Sequence, residues 1–484
     1  MKEFPSELLN QIDGEQRPAG DSLALLDPHS GRQIARFPRS GNAEIEAAVK
    51  AARSAQPGWD AVPGVRRGEI LHQIANLIEA RSDELSRIVA AEAGKKLADA
   101  RGEIGAAVQC ARFFAGEGQR LFGRTMPSGM VGRWAMTIRR PCGVAGLIIA
   151  ANTPAPNFAW KVFPALICGN AVVLKTAEDT PASSWLLGRL CEEAGLPKGV
   201  LNVVHGLGPE AGQALIEHPD VDVLSFTGST RVGRMIAESA GRRLKKVSLE
   251  LGGKNALVVC DDADLDLAVK WSLLAAFSNA GQRCAAGSRI LVFDAVYPEF
   301  SEKLVSAAKA LKLGVEEDCD LGPVINQRQL DNMIAAIERA VGGGASLLCG
   351  GTRATSGEHA GFYMQPTVIS DPDPRSELSQ TELFGPITAL YRVSGFDQAV
   401  SVVNDSPYGL TASIHTRDID RALSFARQAH VGVAVVNGGT HGSEPHMPFG
   451  GVNASGNGTR EPGTEALEVY SDLRVVYLNS LPPR

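Results

Sequence analysis

A single cysteine, Cys284, stands in the stretch FSNAGQRCAAGSR (residues 277–289), among glycine, alanine, serine and asparagine and directly after an arginine, Arg283. A thiol in such small company is either a buried hydrophobe or a nucleophile with clearance for a carbonyl carbon, because the thiolate reacts only where a substrate can reach it. Two carboxylates also occupy unusual settings. Glu250 closes the apolar run KVSL and is followed, one leucine later, by two glycines in SLELGGKN; Glu382 sits in TELFGP beside Phe384. A carboxylate that ends a buried strand is costly unless paired or used, and the glycines let a ligand approach. Glu250 is therefore read as functional. No GxSxG elbow is present, and the nine histidines form no HExxH pair.

Three further stretches carry weaker signals. HGLGPEAG holds Gly206, Gly208 and Gly212 between a strand pattern and a helix pattern, but its spacing is not the dinucleotide fingerprint, so it is either a ligand loop or a tight turn. FTGSTRVG, with Thr227, Gly228 and Ser229, makes a second such junction and lacks the Gly-Lys-Ser/Thr ending of a phosphate loop. Helix N-termini at strand ends make anion cradles, since free N–H groups and the helix dipole point outward. In VVLKTAEDTP, Lys175 closes an apolar strand and Glu178 follows three residues later. They are either a surface charge pair or a ribose site, where a carboxylate would accept from two hydroxyls and repel a 2′-phosphate.

The elements that must position these residues alternate. Residues 43–56 and 66–94 carry helical periodicity, with Ile70, Leu71, Ile74, Leu77 and Ile78 at spacings of three and four. From 144 to 251 the runs VAGLIIA, AVVLKTA, LNVVHG, VDVLSFTG and KVSLEL are separated by helical stretches starting near Pro154, Pro181, Pro209 and Ser229. That pattern predicts βαβ units and a mostly parallel sheet, covered on both faces because the runs are continuously apolar. A second block predicts a helix over ADLDLAVKWSLLAAFSNAG, strands SRILVF, TVIS, ITALYRV and GVAVVNG, and a helix over 296–312. Residues 123–141 read as a projecting β-hairpin. The tail LRVVYLN reads as an isolated strand, and an unpaired terminal strand needs a cover, so an oligomer is expected.

Composition bounds the rest. The 484 residues are 44% hydrophobic and 21% charged, enough for two to three domains. A net charge of -6 argues against nucleic acid, and the one dense basic cluster, Arg242 to Lys246, leads straight into a strand. No apolar run reaches membrane-spanning length, and the N-terminal stretch has no signal-peptide core. Eight cysteines without a CxxC pair predict reduced thiols, no metal site and a cytoplasmic protein.

Taken together, LELGGKN, then the cysteine of NAGQRC, then ELFGP, then PFGG, in that order, resemble the NAD(P)-dependent aldehyde dehydrogenase superfamily from about residue 20 to the end. The resemblance implies an α/β fold of two doubly wound Rossmann-like domains plus a small β oligomerisation element. Residues 1–122 and 142–251 would form the NAD-binding domain, 252–452 the catalytic domain, and 123–141 with 465–484 the oligomerisation element of a homodimer or homotetramer. It implies Cys284 as nucleophile and Glu250 as general base. The family's distance back from the strand-ending lysine selects Asn152, rather than Asn157, as the oxyanion asparagine. Lys175 and Glu178 would hold the adenosine ribose; Gly208, Gly228 and Ser229 would flank the pyrophosphate and Thr227 the nicotinamide. Glu382 would bind the nicotinamide ribose, with Phe384 against it. Trp160 and Phe449 match walls of the substrate tunnel, with core packing as the other reading. Arg283 would assist the thiolate, pair with a substrate carboxylate, or face solvent.

The implied activity is oxidation of a small-molecule aldehyde to the acid with NAD, NADP being the second candidate, through a Cys284 thiohemiacetal and thioester. The alternative is transfer of the acyl group to coenzyme A. Three departures stand out. Asn453 replaces the usual lysine after PFGG, GNGTRE is one residue longer than the common form, and Thr153 stands where many relatives carry an aromatic.

Overall fold

The computed structural model describes residues 4–354, 360–370 and 372–480. The outermost residues of the expected N- and C-terminal segments, 1–3 and 481–484, lie outside the described residues.

The five apolar runs between 144 and 251 form the strands Val144–Ile148, Ala171–Lys175, Leu201–Val204, Val223–Thr227 and Lys246–Glu250. All five are parallel, and an N-terminal hairpin, Asn10–Ile12 with Glu15–Arg17, extends the sheet antiparallel beside Leu201–Val204. Neighbouring side chains of these strands enter different cores. Leu147, Val172 and Leu174 pack into one, Ile148 and Val173 into the other, which is why the runs are apolar without alternation. Each buried Val or Leu contributes about 1.5–3 kcal/mol. Proline pre-sets the first turn of the helices Pro154–Ile167 and Pro181–Glu193.

The central strand Val144–Ile148 lies between Ala171–Lys175, which follows it in the chain, and Val223–Thr227, which comes much later. Chain order therefore reverses there, creating the crevice at the carboxyl strand ends where open α/β sheets bind ligands.

The second sheet has the order Ser346–Cys349, Thr367–Ser370, Ile387–Val393, Gly287–Phe293, Asn255–Val259, Thr411–His415, Val433–Val436; only the Ser346–Cys349 pairing is antiparallel. It too is buried on both faces, with Ala256 and Val258 in one core and Leu257 and Val259 in another. The expected helix before Cys284 ends earlier than its sequence pattern suggests. It spans Leu265–Phe277, and Asn279, Ala280 and Gly281 then take positive φ of 55°, 52° and 66°. A Cβ on Gly281 would lie 2.0 Å from the Gly385 carbonyl oxygen, so this turn requires glycine.

The tail strand corrects an expectation. Ser471–Asn479 is not isolated: it pairs antiparallel with Arg133–Pro141 over nine positions, and Thr125–Met126 completes a three-stranded ribbon. The hairpin at 123–141 was legible, but the identity of its third strand depends on a contact across more than 300 residues. The ribbon exposes Trp134 (71%), Leu473, Val475 and Tyr477.

Candidate functional site

The carboxyl ends of the first sheet's strands meet the amino ends of the second sheet's strands. Glu250 ends one strand of the first sheet, and the short connector through Gly252 and Gly253 leads directly to Asn255, where the second sheet begins. Cys284 lies three residues before the neighbouring strand Gly287–Phe293. Asn255 Nδ2 donates to the carbonyls of Cys284 (2.7 Å) and Ala286 (2.9 Å), and Thr440 Oγ1 donates to that of Ala285 (2.7 Å). A Cβ on Gly253 would come within 2.5 Å of the Cys284 carbonyl. The Cys284 loop is thus clamped from three sides.

Cys284 is half-buried and packs in a small apolar cluster with Trp160 and Phe449, whose rings lie 5.6 Å apart. Burial pushes its thiol up to about 12, and the carboxylates of Glu382 and Glu250 push the same way. The Ala285 N–H and the Arg283 charge oppose that shift. Asn152 follows the central strand. Its Nδ2 donates to the Gln282 carbonyl (3.1 Å), leaving the second amide hydrogen without a partner among the described residues. Asn157, the other asparagine of that segment, donates to Asn152 Oδ1 (3.4 Å) and to Thr153, so it supports Asn152 from behind.

Glu250 is 5% exposed, and neither carboxylate oxygen has a hydrogen-bond partner among the described residues. Burial, with the negative charge of Glu461 second, holds its carboxyl well above the ordinary range. Such a group holds its proton more tightly than an ordinary carboxyl.

The ligand side of the crevice is equally defined. Lys175 Nζ lies 3.7 Å from Glu178 Oε2, which also accepts from the Gly208 N–H (3.1 Å). Burial lowers the Lys175 ammonium, against the pull of Glu178 and Asp179. Thr227 ends its strand, and the Gly228 N–H donates to the Glu250 carbonyl (3.0 Å). A Cβ on Gly228 would meet the Phe226 ring at 2.4 Å. Ser229 caps the helix Thr230–Arg242 through the Val232 N–H (3.4 Å) and turns that N-terminus toward the crevice mouth. Glu382 Oε1 accepts from the Gly253 N–H (3.1 Å), and burial raises its carboxyl to about 7. Its other oxygen lies where a Cβ on Gly252 would come within 2.1 Å. Phe384, next but one, has φ of 57°. A helix N-terminus, a buried lysine beside a carboxylate and a second, half-buried carboxylate along the carboxyl ends of this sheet fit a ligand rich in hydroxyls and phosphate. No metal-holding cluster of His, Cys, Asp or Glu occurs among the described residues.

Arg283 is half-buried, makes no ion pair among the described residues and has a buried Nε without a partner. It does not simply face solvent.

One network had no counterpart in the sequence reading. Lys161 and Glu461 form an ion pair at 2.7 Å, each side chain 1% exposed. Ser225, Ser248 and Tyr470 donate to Glu461 at 2.8, 3.0 and 3.2 Å, and Ser225 Oγ also accepts from Lys161 (2.7 Å). Both charges act on Glu250. The available signal was Lys161 itself, a lone cation in the otherwise apolar AWKVFPALI; its partner lies 300 residues away.

Known proteins share this fold. Residues 16–476 match the aldehyde dehydrogenase family. The chain is 37% identical to the alpha-ketoglutaric semialdehyde dehydrogenase of Bacillus subtilis (strain 168), over 97% of this chain and 98% of that protein. It is also 37% identical to the NADP(+) succinate-semialdehyde dehydrogenase of Escherichia coli (strain K12), over 98% and 99%. A betaine aldehyde dehydrogenase from Staphylococcus aureus, solved with NAD+, superposes with a TM-score of 0.96 at 31% identity, covering 98% of this chain and 95% of that one.

Proposed function

The chain belongs to the aldehyde dehydrogenase family of oxidoreductases, and from that premise we propose that it oxidises an aldehyde to its carboxylic acid by covalent catalysis at Cys284. What supports this is that the free amide hydrogen of Asn152 and the unpaired, buried carboxyl of Glu250 both lie at the Cys284 loop: Asn152 donates to the Gln282 carbonyl two residues before the thiol, and the Glu250 charge acts on the thiol itself.

The Cys284 thiolate attacks the aldehyde carbon, and the oxyanion that forms is held by Asn152 Nδ2 and the Cys284 N–H, which no backbone hydrogen bond among the described residues uses. When bound, the dinucleotide supplies a hydride acceptor beside that carbon. Loss of the hydride leaves the acyl group on Cys284 as a thioester. Glu250 takes a proton from water, the hydroxide adds to the thioester carbon, and the acid leaves as the thiolate returns. The Lys161–Glu461 network holds charge around Glu250 fixed while its proton moves.

Lys175 and Glu178 would bind the adenosine ribose, and Glu178 at that position favours NAD over NADP by repelling a 2′-phosphate. Gly208, Gly228 and Ser229 would lie along the pyrophosphate. Since the Gly208 N–H already donates to Glu178, Gly208 gives clearance rather than a donor. Thr227 would meet the nicotinamide, and Glu382 with Phe384 the nicotinamide ribose. Trp160, Phe449 and Arg283 would line the substrate channel. The relatives act on different aldehydes by name, and none of their substrates is carried over. On this reading residues 1–122 with 142–251 bind the dinucleotide, 252–452 carry the nucleophile, and the 123–141 hairpin with 465–484 joins subunits into a dimer or tetramer.

The test is reduction of NAD, followed by its near-ultraviolet absorbance, against a panel of aldehydes. Cys284→Ala should abolish it. Hydride transfer that survives this variant, or acyl-coenzyme A formed in place of the acid, would overturn the proposal.

A further inference from the structure

The loop between the helices Ser82–Ala93 and Leu97–Glu117 sends a lysine to the residue that would hold the oxyanion. Lys95 Nζ donates to the main-chain carbonyl of Asn152 and to Glu103 Oε1, and the side chains of this pair are only 5% and 12% exposed. Burial lowers the Lys95 ammonium and raises the Glu103 carboxyl, each shift opposed by the partner's charge. Taking such a pair out of water gains little stability unless its remaining lone pairs are satisfied. The Lys161–Glu461 pair meets that condition through the hydroxyls of Ser225, Ser248 and Tyr470. Glu103 Oε2, by contrast, is buried without a partner among the described residues. The Lys95–Glu103 pair is therefore a poor stabiliser, and the bond it makes outside itself goes to Asn152.

Asn152 is gripped at both ends. Its carbonyl accepts from Lys95 and from Asn279 Nδ2 (3.3 Å). Its amide donates to the Gln282 carbonyl (3.1 Å), which Asn279 Nδ2 also reaches (3.1 Å). Both grips are fixed to one segment in the second half of the chain, residues 319–325. Lys96 Nζ donates to the Cys319 carbonyl (2.9 Å), and a Cβ on Gly94 would lie 2.6 Å from Pro323. Gln282 Nε2 donates to the Pro323 carbonyl (3.4 Å), and its Oε1 accepts from the Ile325 N–H (2.8 Å). Gly94, with φ of 66°, ends the first helix in the left-handed region and turns the chain so that Lys95 is buried. With its carbonyl and one amide hydrogen held, Asn152 presents its second amide hydrogen in a fixed direction.

We propose that Lys95, held by Glu103, is a positioning residue that sets the amide of Asn152 for the oxyanion formed at Cys284. This rests on the reading of Asn152 as the oxyanion donor. Such a donor must lie within about 2.7–3.1 Å of the oxygen as its charge develops, so a small displacement of the Asn152 main chain forfeits much of its effect. Lys95 acts through Asn152 alone, and its effect is confined to reactions that form an oxyanion.

The test compares two reactions of the same thiol in the full chain without dinucleotide. With 4-nitrophenyl acetate the Cys284 sulfur takes the acetyl group through an oxyanion and 4-nitrophenolate leaves; with iodoacetamide it displaces iodide and no oxyanion forms. Lys95→Met should slow the acetylation by about ten- to a hundredfold and leave the alkylation within about twofold of wild type. Asn152→Ala should slow the acetylation by about 10²–10³-fold. Lys95→Met added to Asn152→Ala should slow it no further, because the lysine acts only through the asparagine. Lys95→Met leaves Glu103 buried and unpaired, so if it folds poorly, Lys95→Met with Glu103→Leu removes both charges and should show the same selective loss. Acetylation unchanged by Lys95→Met, a loss that multiplies with that of Asn152→Ala, or an equal loss of alkylation overturns the positioning role and leaves the Cys284 chemistry intact. Acetylation as fast in Asn152→Ala as in wild type overturns both the positioning role and the reading of Asn152.

Discussion

Cys284, Glu250 and Glu382 titrate as a set, and their order sets the pH behaviour of the site. Glu382 ionises at about 7, while burial and two carboxylates raise the Cys284 thiol to about 12. A raised thiol pKa means too little thiolate at neutrality, so alkylation of Cys284 in the cofactor-free protein should still be climbing at pH 10. Above pH 7 the Glu382 carboxylate is negative and disfavours a second negative charge on sulfur. Glu382→Gln removes that repulsion, so the alkylation profile should move to lower pH; a shift to higher pH would contradict the assignment. As the proposed base, Glu250 would act only after losing its proton, so thioester hydrolysis should accelerate as pH rises through its elevated pKa. Glu250→Gln should slow steady-state turnover by about 10²–10⁴-fold while sparing the first hydride transfer, measured as a pre-steady-state burst. At this scale the sequence was informative wherever a polar residue ended an apolar run, as at Lys175 and Glu250. It could not reveal that Arg283 has no ion-pair partner among the described residues, because that depends on the space around it.

At the scale of elements, position follows from strand ends. Parallel strands buried on both faces advertise themselves as continuous apolar runs, which is why all five strands between 144 and 251 could be read from the sequence, with bounds a few residues wider than the strands themselves. The loops they end in then inherit the site. Less legible were the contacts that close it. The helix before Cys284 reads as continuous through Gly281, yet three left-handed residues break it and redirect the chain. Lys161 and Glu461 give the sharpest stability prediction. Glu461→Leu leaves Lys161 buried and unpaired beside Glu250, and should cost about 3–5 kcal/mol, read as a lowered urea midpoint. Lys161→Met with Glu461→Leu removes both charges and should recover much of that loss. A single variant as stable as the wild type would show that the pair is not a buried ion pair in solution.

For the whole molecule, two sheets meet end to end and a ribbon stands apart from both. The argument from an unpaired tail strand is gone, since Ser471–Asn479 is fully paired within its own chain. The exposed Trp134, Val475 and Tyr477 on that ribbon now carry the expectation of an oligomer. Trp134→Glu with Val475→Glu should lower the mass measured by light scattering, and an unchanged mass would remove the ribbon from the interface. Among the described residues no helix is long and apolar enough to cross a membrane.

The central claim is that a covalent acyl group passes through Cys284 and leaves through Glu250. Its most direct test is the intact mass of Glu250→Gln after rapid mixing with an aldehyde and NAD. The account predicts an added acyl group, located by peptide mapping on the fragment containing Cys284 and absent when NAD is omitted. Turnover of the aldehyde with no acyl group on Cys284, or an acyl group on any other residue, would contradict it.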